Sequence, residues 1–210
     1  MFKDRINAGG QLSSLLPAYK QDEAVVFAMP RGGVVLGFQI AQIHKWPLEL
    51  VITRKIGHPE NPEYAIGAVG ETGRFLLNKQ EKFIDQKWLE NEIKKEQIEA
   101  IRRRKVYYGD RKEEQVKDKT AILVDDGVAT GLSLSLAIEE LKAKKPKEII
   151  VVVPVISEDI ADSIGEICDK LIAIKTVKGY FGSVGNYYEN FPQMSDEEVV
   201  KLLSIIWTRK

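Results

Sequence analysis

Two hydrophobic periods alternate along this chain. Short apolar runs rich in β-branched residues recur at residues 24–29, 48–53, 121–124, 148–155 and 171–174. All but the second, which Glu49 interrupts, are essentially continuous rather than alternating, and each is too short for a helix, as strands buried on both faces are. Segments with helical spacing stand between them: Leu36, Ile40 and Ile43 after the first run, Leu134, Ala137, Ile138 and Leu141 after the third, and residues 159–167 after the fourth. Strands alternating with helices predict an α/β fold in three layers, a mostly parallel central sheet flanked by helices.

The remaining segments refine that frame. Residues 2–16 suggest a short amphipathic helix interrupted by Gly9-Gly10, and residues 54–65, marked by Pro59 and Pro62, a polar loop. Residues 66–69 and 75–77 look like a hairpin across Glu71-Thr72-Gly73-Arg74. Residues 80–108 read as one long charged helix with a stripe of Phe83, Ile84, Leu89, Ile93, Ile98 and Ile101. Ser195 followed by Asp196, Glu197 and Glu198 caps a last helix that reaches Trp207. With no repeat and no linker, one domain over residues 1–210 is expected: a core over about 20–175, a hairpin and long-helix insertion, and a small hood over about 176–194.

Composition narrows the function. Lys+Arg and Asp+Glu are both 31, so no global basic field argues for nucleic acid. The single cysteine, Cys168, excludes an intramolecular disulfide and fits a reducing compartment; it is expected to be a small, partly buried residue. No apolar stretch is long enough to span a membrane, and residues 1–17 lack the apolar core of a signal peptide, so a cytoplasmic protein is expected. The two histidines, His44 and His58, have no zinc-ligand spacing. Gly-Lys-Ser/Thr and Gly-x-Ser-x-Gly are both missing, so neither a nucleotide P-loop nor a serine hydrolase elbow is supported. The basic run Arg102-Arg103-Arg104-Lys105 is interleaved with acids and expected to be a solvated helix end.

The sharpest chemistry lies in Ala121-Ile122-Leu123-Val124-Asp125-Asp126-Gly127-Val128-Ala129-Thr130-Gly131-Leu132-Ser133. An apolar strand ends in two carboxylates, and a loop of small and hydroxyl residues opens a helix. Free N–H groups at a helix start hold phosphate, and paired carboxylates accept from vicinal hydroxyls. One ligand with a sugar diol and a phosphate satisfies both. Met29-Pro30-Arg31-Gly32-Gly33 follows the first strand, where backbone can approach a ligand closely beside a fixed positive charge. Thr53-Arg54-Lys55 ends the second run. Neighbours on a strand alternate, so Arg54 and Lys55 point opposite ways and one of the two cations can face a diphosphate.

The segment from Ala121 to Ser133 resembles the signature of the type I phosphoribosyltransferases, which use phosphoribosyl pyrophosphate (PRPP). The match departs at Gly127, where a β-branched residue is usual. The resemblance implies transfer of the 5-phosphoribosyl group to a nitrogen acceptor, a nucleobase first, with release of pyrophosphate. It puts Ala129, Thr130, Gly131, Leu132 and Ser133 on the 5-phosphate, Asp125 and Asp126 on the ribose hydroxyls, and Arg31, Gly32, Gly33 and Lys55 on the pyrophosphate. It also implies a cis peptide at Pro30–Arg31 and Mg²⁺ carried on PRPP, with no direct protein ligand. A mobile lid over residues 58–63, a hood offering Phe181, Val184 and Tyr187 to the acceptor, and a homodimer complete what it implies. Members that act on 6-oxopurines carry an acid before the Thr-Gly; Ala129 stands there, which puts purine salvage in doubt. The alternative is a PRPP- or nucleotide-sensing module that binds without catalysis. A response-regulator-like domain also ends a strand in Asp-Asp, but the loop of Thr130, Gly131 and Ser133 argues against it.

Overall fold

The structure, a computed structural model, describes residues 1–78, 81, 84–179 and 182–208. The chain runs α1 (Arg5–Ser13), β1 (Ala24–Ala28), α2 (Gly33–His44), β2 (Leu48–Leu50), β3 (Thr53–His58), β4 (Asn61–Gly70), β5 (Phe75–Leu77), α3 (Gln86–Tyr108), β6 (Thr120–Val124), α4 (Leu132–Ala143), β7 (Glu148–Ser157), α5 (Glu158–Gly165), β8 (Lys170–Val177), a 3₁₀ turn (Val184–Tyr187) and α6 (Asp196–Trp207). The central sheet is parallel throughout, in the order β2-β1-β6-β7-β8.

The continuous apolar runs follow from burial on both faces. Val26, Ile122, Ile150 and Val152 point into a core shared with α1, α2 and α6. Their neighbours Val25, Phe27, Leu123 and Val151 point the other way, into a core with α4 and α5. Alternation along each strand thus builds three layers. A second sheet, β3-β4-β5, is antiparallel. Its Ile56, Ile66 and Val69 face Ile84, Trp88, Leu89 and Ile93, in and just before α3, forming a small separate core.

Several expectations need correction. The run over residues 48–53 is two elements: β2 ends at Leu50 in the main sheet and β3 begins at Thr53 in the second. The expected polar loop over 54–65 is a β-hairpin of β3 and β4, with register shifts around Gly57. Residues 59–64 are exposed, so this end of the hairpin carries polar side chains on both faces and reads as a loop. Gly9-Gly10 does not interrupt α1; an added Cβ at Gly9 would lie 3.0 Å from Leu36 Cα, so the glycine lets α1 settle closely on α2. Ile98 and Ile101, expected in the buried stripe, are 59% and 49% exposed. Past the small core, α3 turns another face inward and buries Ala100, Tyr107 and Tyr108 in the main core. Phe83 and the expected helix start at Gln80 lie outside the described residues.

The basic run is not a solvated end either. Arg102 bonds Glu99 and Asp196, and Arg103 is buried against Glu99. Arg104 stacks on Tyr108 and pairs with Glu113, which also holds Lys144, the residue that caps the end of α4. Thr72 bonds Glu140 of α4. These contacts fasten the insertion to the helix that follows the signature loop.

The topology sets the site. β1 leads through α2 to β2 on one side; β6 leads through α4 to β7 on the other. The winding reverses between β1 and β6, and open α/β sheets bind ligands at such a switch point, beyond the carboxyl ends of the strands. Ala28 pairs with Val124, and Met29 N–H donates to Val124 O at 2.9 Å, so the loops after β1 and β6 leave the sheet at one level.

Candidate active site

The two loops touch. A Cβ at Gly33 would lie 2.9 Å from Val124 O and 3.1 Å from Asp125 Cα; one at Gly32 would lie 1.8 Å from Asp126 Oδ2. Only glycine admits so close an approach, which brings Gly32 against Asp126 and Gly33 against Asp125. The Pro30–Arg31 peptide is cis, as the resemblance implies. Arg31 is half-buried.

The loop from Gly127 to Gly131 lies along β7, Val128 N–H donating to Val155 O at 3.0 Å. Ala129 and Thr130 are exposed and Ser133 is half-buried. Gly131 takes the N-cap of α4 with φ +74°, and no side chain caps that end. The first amides of α4 therefore have no side-chain cap, beside three small residues. That is the geometry that holds a phosphate at a helix start.

The carboxylates are not equivalent. Burial, then the Asp126 charge beside it, pushes the Asp125 carboxyl well above the usual range. Asp125 Oδ1 accepts the Asp126 backbone N–H at 2.8 Å. Burial also pushes Asp126 up, but Arg5 pulls the other way, its Nε donating to Asp126 Oδ2 at 2.8 Å. Tyr188 Oη donates to the Asp126 carbonyl at 2.6 Å.

Lys55 and Arg54 diverge as strand neighbours must. Arg54 Nε bonds Glu96 of α3 at 2.8 Å, while Lys55 Nζ meets Glu63 across the hairpin at 3.3 Å. No hydrogen bond or ion pair among the described residues ties Lys55 to the Arg31–Gly33 loop. From the 3₁₀ turn, Val184 packs over Gly127: a Cβ there would lie 2.5 Å from Val184 Cγ1, and Gly127 has φ +151°. The departure at Gly127 thus matches the close seat of that turn. Tyr187 lies under Lys175, whose Nζ is 5.2 Å from the ring centroid. Phe181 lies outside the described residues.

Three residues at the site were not singled out by the sequence: Arg5, Tyr188 and Phe191, which meet Asp126 or its partner Arg5. Nothing local marked Arg5. His58 accepts the Glu60 N–H through Nδ1. Cys168 is half-buried, and burial pushes its thiol up, which makes it a poor nucleophile.

A parallel sheet whose switch point joins an acidic strand end to a glycine loop, with a helix start beside them, defines an α/β domain of the type I phosphoribosyltransferase class. The chain belongs to the phosphoribosyl transferase domain family, whose model matches residues 6–178. The crystal structure of TT1426 from Thermus thermophilus is 35% identical, with a TM-score of 0.77 over 96% of this chain and 97% of that one. Proteins of Mycobacterium tuberculosis strains CDC 1551 and H37Rv, provisionally named phosphoribosyl transferases, are each 34% identical over 206 residues. The match takes in 97% of this chain but only 46% of theirs, so the chain spans about half the length of these curated relatives.

Proposed function

We propose that the protein transfers the 5-phosphoribosyl group of PRPP to a nitrogen of a small acceptor, a nucleobase first, and releases pyrophosphate. One observation carries this reading: the acidic end of β6 and the glycine loop after β1 meet at the switch point, beside the uncapped start of α4. In the reaction the anomeric C–O bond to diphosphate breaks and a C–N bond forms. The acceptor nitrogen gives up its proton to solvent. Positive charge develops on the sugar ring, and a fixed carboxylate at the β6 end stabilises it. The α4 start holds the 5-phosphate; Arg31 and the Gly32–Gly33 backbone hold the diphosphate, joined by Lys55 when the hairpin closes.

Magnesium would arrive on the substrate, most of its ligands oxygens of PRPP, and would neutralise diphosphate charge; the carboxylates at the β6 end, Asp125 and Asp126, are oxygen donors of the kind that suits such an ion. Ala129 offers no acid beside the acceptor, so 6-oxopurines are expected to be poor substrates. A homodimer belongs to the same proposal, and light scattering tests it.

The test is a panel of nucleobases and related heterocyclic acids with PRPP and Mg²⁺, read by pyrophosphate release. Release that depends on one acceptor supports transfer. PRPP binding with no release for any acceptor would move the chain to the sensing alternative.

A further inference from the structure

We infer that Arg5 is a positioning residue: it holds the Asp126 carboxylate against the glycine loop and leaves Asp125 as the one carboxylate that meets the ribose. This rests on the PRPP-binding reading of the same site. The expectation that both carboxylates face the sugar hydroxyls treats them alike, and the geometry separates them.

Asp126 is spoken for. Its Oδ2 accepts from Arg5 Nε at 2.8 Å and packs where a Gly32 Cβ would stand. The pair is largely buried, with side-chain exposures of 9% and 16%. Arg5 is itself tethered from behind: Nη1 donates to Pro192 O at 2.6 Å, and the guanidinium lies 3.7 Å from the Phe191 ring centroid. Cation–π contact and a carbonyl bond hold the fork in one orientation. Asp126 is further fixed through its carbonyl by Tyr188. The second carboxylate therefore braces the β6 end, the glycine loop, α1 and the segment before α6 into one unit.

Asp125 has the opposite surroundings. It accepts one backbone N–H, and no cation pairs with it among the described residues. Burial disfavours its charge. Two sugar hydroxyls donating to it would satisfy acceptor capacity that the protein leaves open.

The test is PRPP binding with Mg²⁺, followed by calorimetry between pH 5 and 9, on the full chain and on Asp125→Asn, Asp126→Asn, Arg5→Met, Arg5→Lys and the double Arg5→Met/Asp126→Asn. Circular dichroism checks each fold. Asp125→Asn should weaken binding on the order of 10–100-fold, the range of hydrogen bonds to charged groups. Asp126→Asn and Arg5→Met should each weaken it by less, roughly 10-fold at most. The double should be no worse than the poorer single, because both changes remove one contact. Arg5→Met, which strips Asp126 of its cation, should shift the pH profile of binding toward neutrality; the double should abolish that shift. Arg5→Lys, which keeps the charge, should recover part of the loss and decides the matter if Arg5→Met does not fold. Additive losses in the double, or Asp126→Asn as severe as Asp125→Asn with Arg5→Lys and Arg5→Met unaffected, would overturn the inference while PRPP binding stood. Wild-type protein that fails to bind PRPP would overturn the functional reading and this inference together.

Discussion

At the scale of single residues, adjacent positions of one type take different work from their surroundings. Asp125 carries a carboxyl that burial pushes up, so the folded protein holds a proton there more tightly than the unfolded chain. Such a group destabilises the fold when charged, and stability is regained as pH falls through its raised pKa toward the ordinary value of 3.8. Asp125→Asn should therefore raise the melting temperature at pH 7 while lowering activity. The gain should shrink at pH 4; each 1 kcal/mol corresponds to about 2–4 °C at this chain length. A lower melting temperature at pH 7 would contradict the assignment. Lys55 is the converse case. Its pair with Glu63 joins side chains 41% and 95% exposed, and such pairs contribute about 0–1 kcal/mol. Lys55→Ala should leave thermal stability nearly unchanged. It should slow pyrophosphate release at least ~10-fold yet barely alter binding of a nucleoside monophosphate, which lacks the diphosphate. Equal losses in both assays would mark the lysine as structural. Residue type and order alone marked Asp125, Asp126, Gly32 and Gly33. Arg5 could not be seen this way, because its partner lies 121 positions along the chain.

At the scale of elements, the glycines of α1 show why period outran detail. Read locally, Gly9-Gly10 predicts a break. Packing gives the two glycines opposite meanings. A side chain at Gly9 would press on Leu36 Cα and Gln39 Cβ, both at 3.0 Å, whereas nothing lies within 4 Å of one at Gly10. Gly9→Ala should destabilise by roughly 1–3 kcal/mol through overpacking. Gly10→Ala should stabilise by about 0.8–1 kcal/mol through helix propensity. Urea unfolding of the two variants decides it, and equal signs would refute the packing account. The buried strands were legible because apolar side chains on both faces leave an unbroken run. The β3–β4 hairpin was not: its far end packs against little, so its composition is that of a loop.

At the scale of the whole molecule, the first residues and the segment before α6 close on the site together. Phe2 N–H donates to Tyr187 O at 2.8 Å, Glu189 N–H returns a bond to Phe2 O at 2.8 Å, and Asn190 N–H donates to Lys3 O at 3.1 Å. The Phe2 ring lies 5.3 Å from that of Tyr188, which bonds Asp126. The first residues thus lie alongside the segment from Tyr187 to Asn190. Deleting residues 1–3 should loosen that segment: limited proteolysis should cut faster between residues 182 and 190, and PRPP binding should weaken several-fold, while the sheet keeps its circular dichroism. Unchanged cleavage would show that the segment stands without them.

The sequence by itself determined the α/β class, the order of the main-sheet strands along the chain, and the contiguous glycine, hydroxyl and carboxylate residues of the loops after β1 and β6 on which the proposed function rests. Those rest on local periods and on contiguous residues, which a linear chain displays directly. Tertiary structure alone decided that the first helix supplies a counter-ion to the signature, that the two carboxylates part company, and that Gly127 makes room for Val184. Each of these depends on groups far apart in sequence meeting at one point. That meeting is fixed by how the layers pack and by the reversal of winding between β1 and β6, neither of which is written in any single segment.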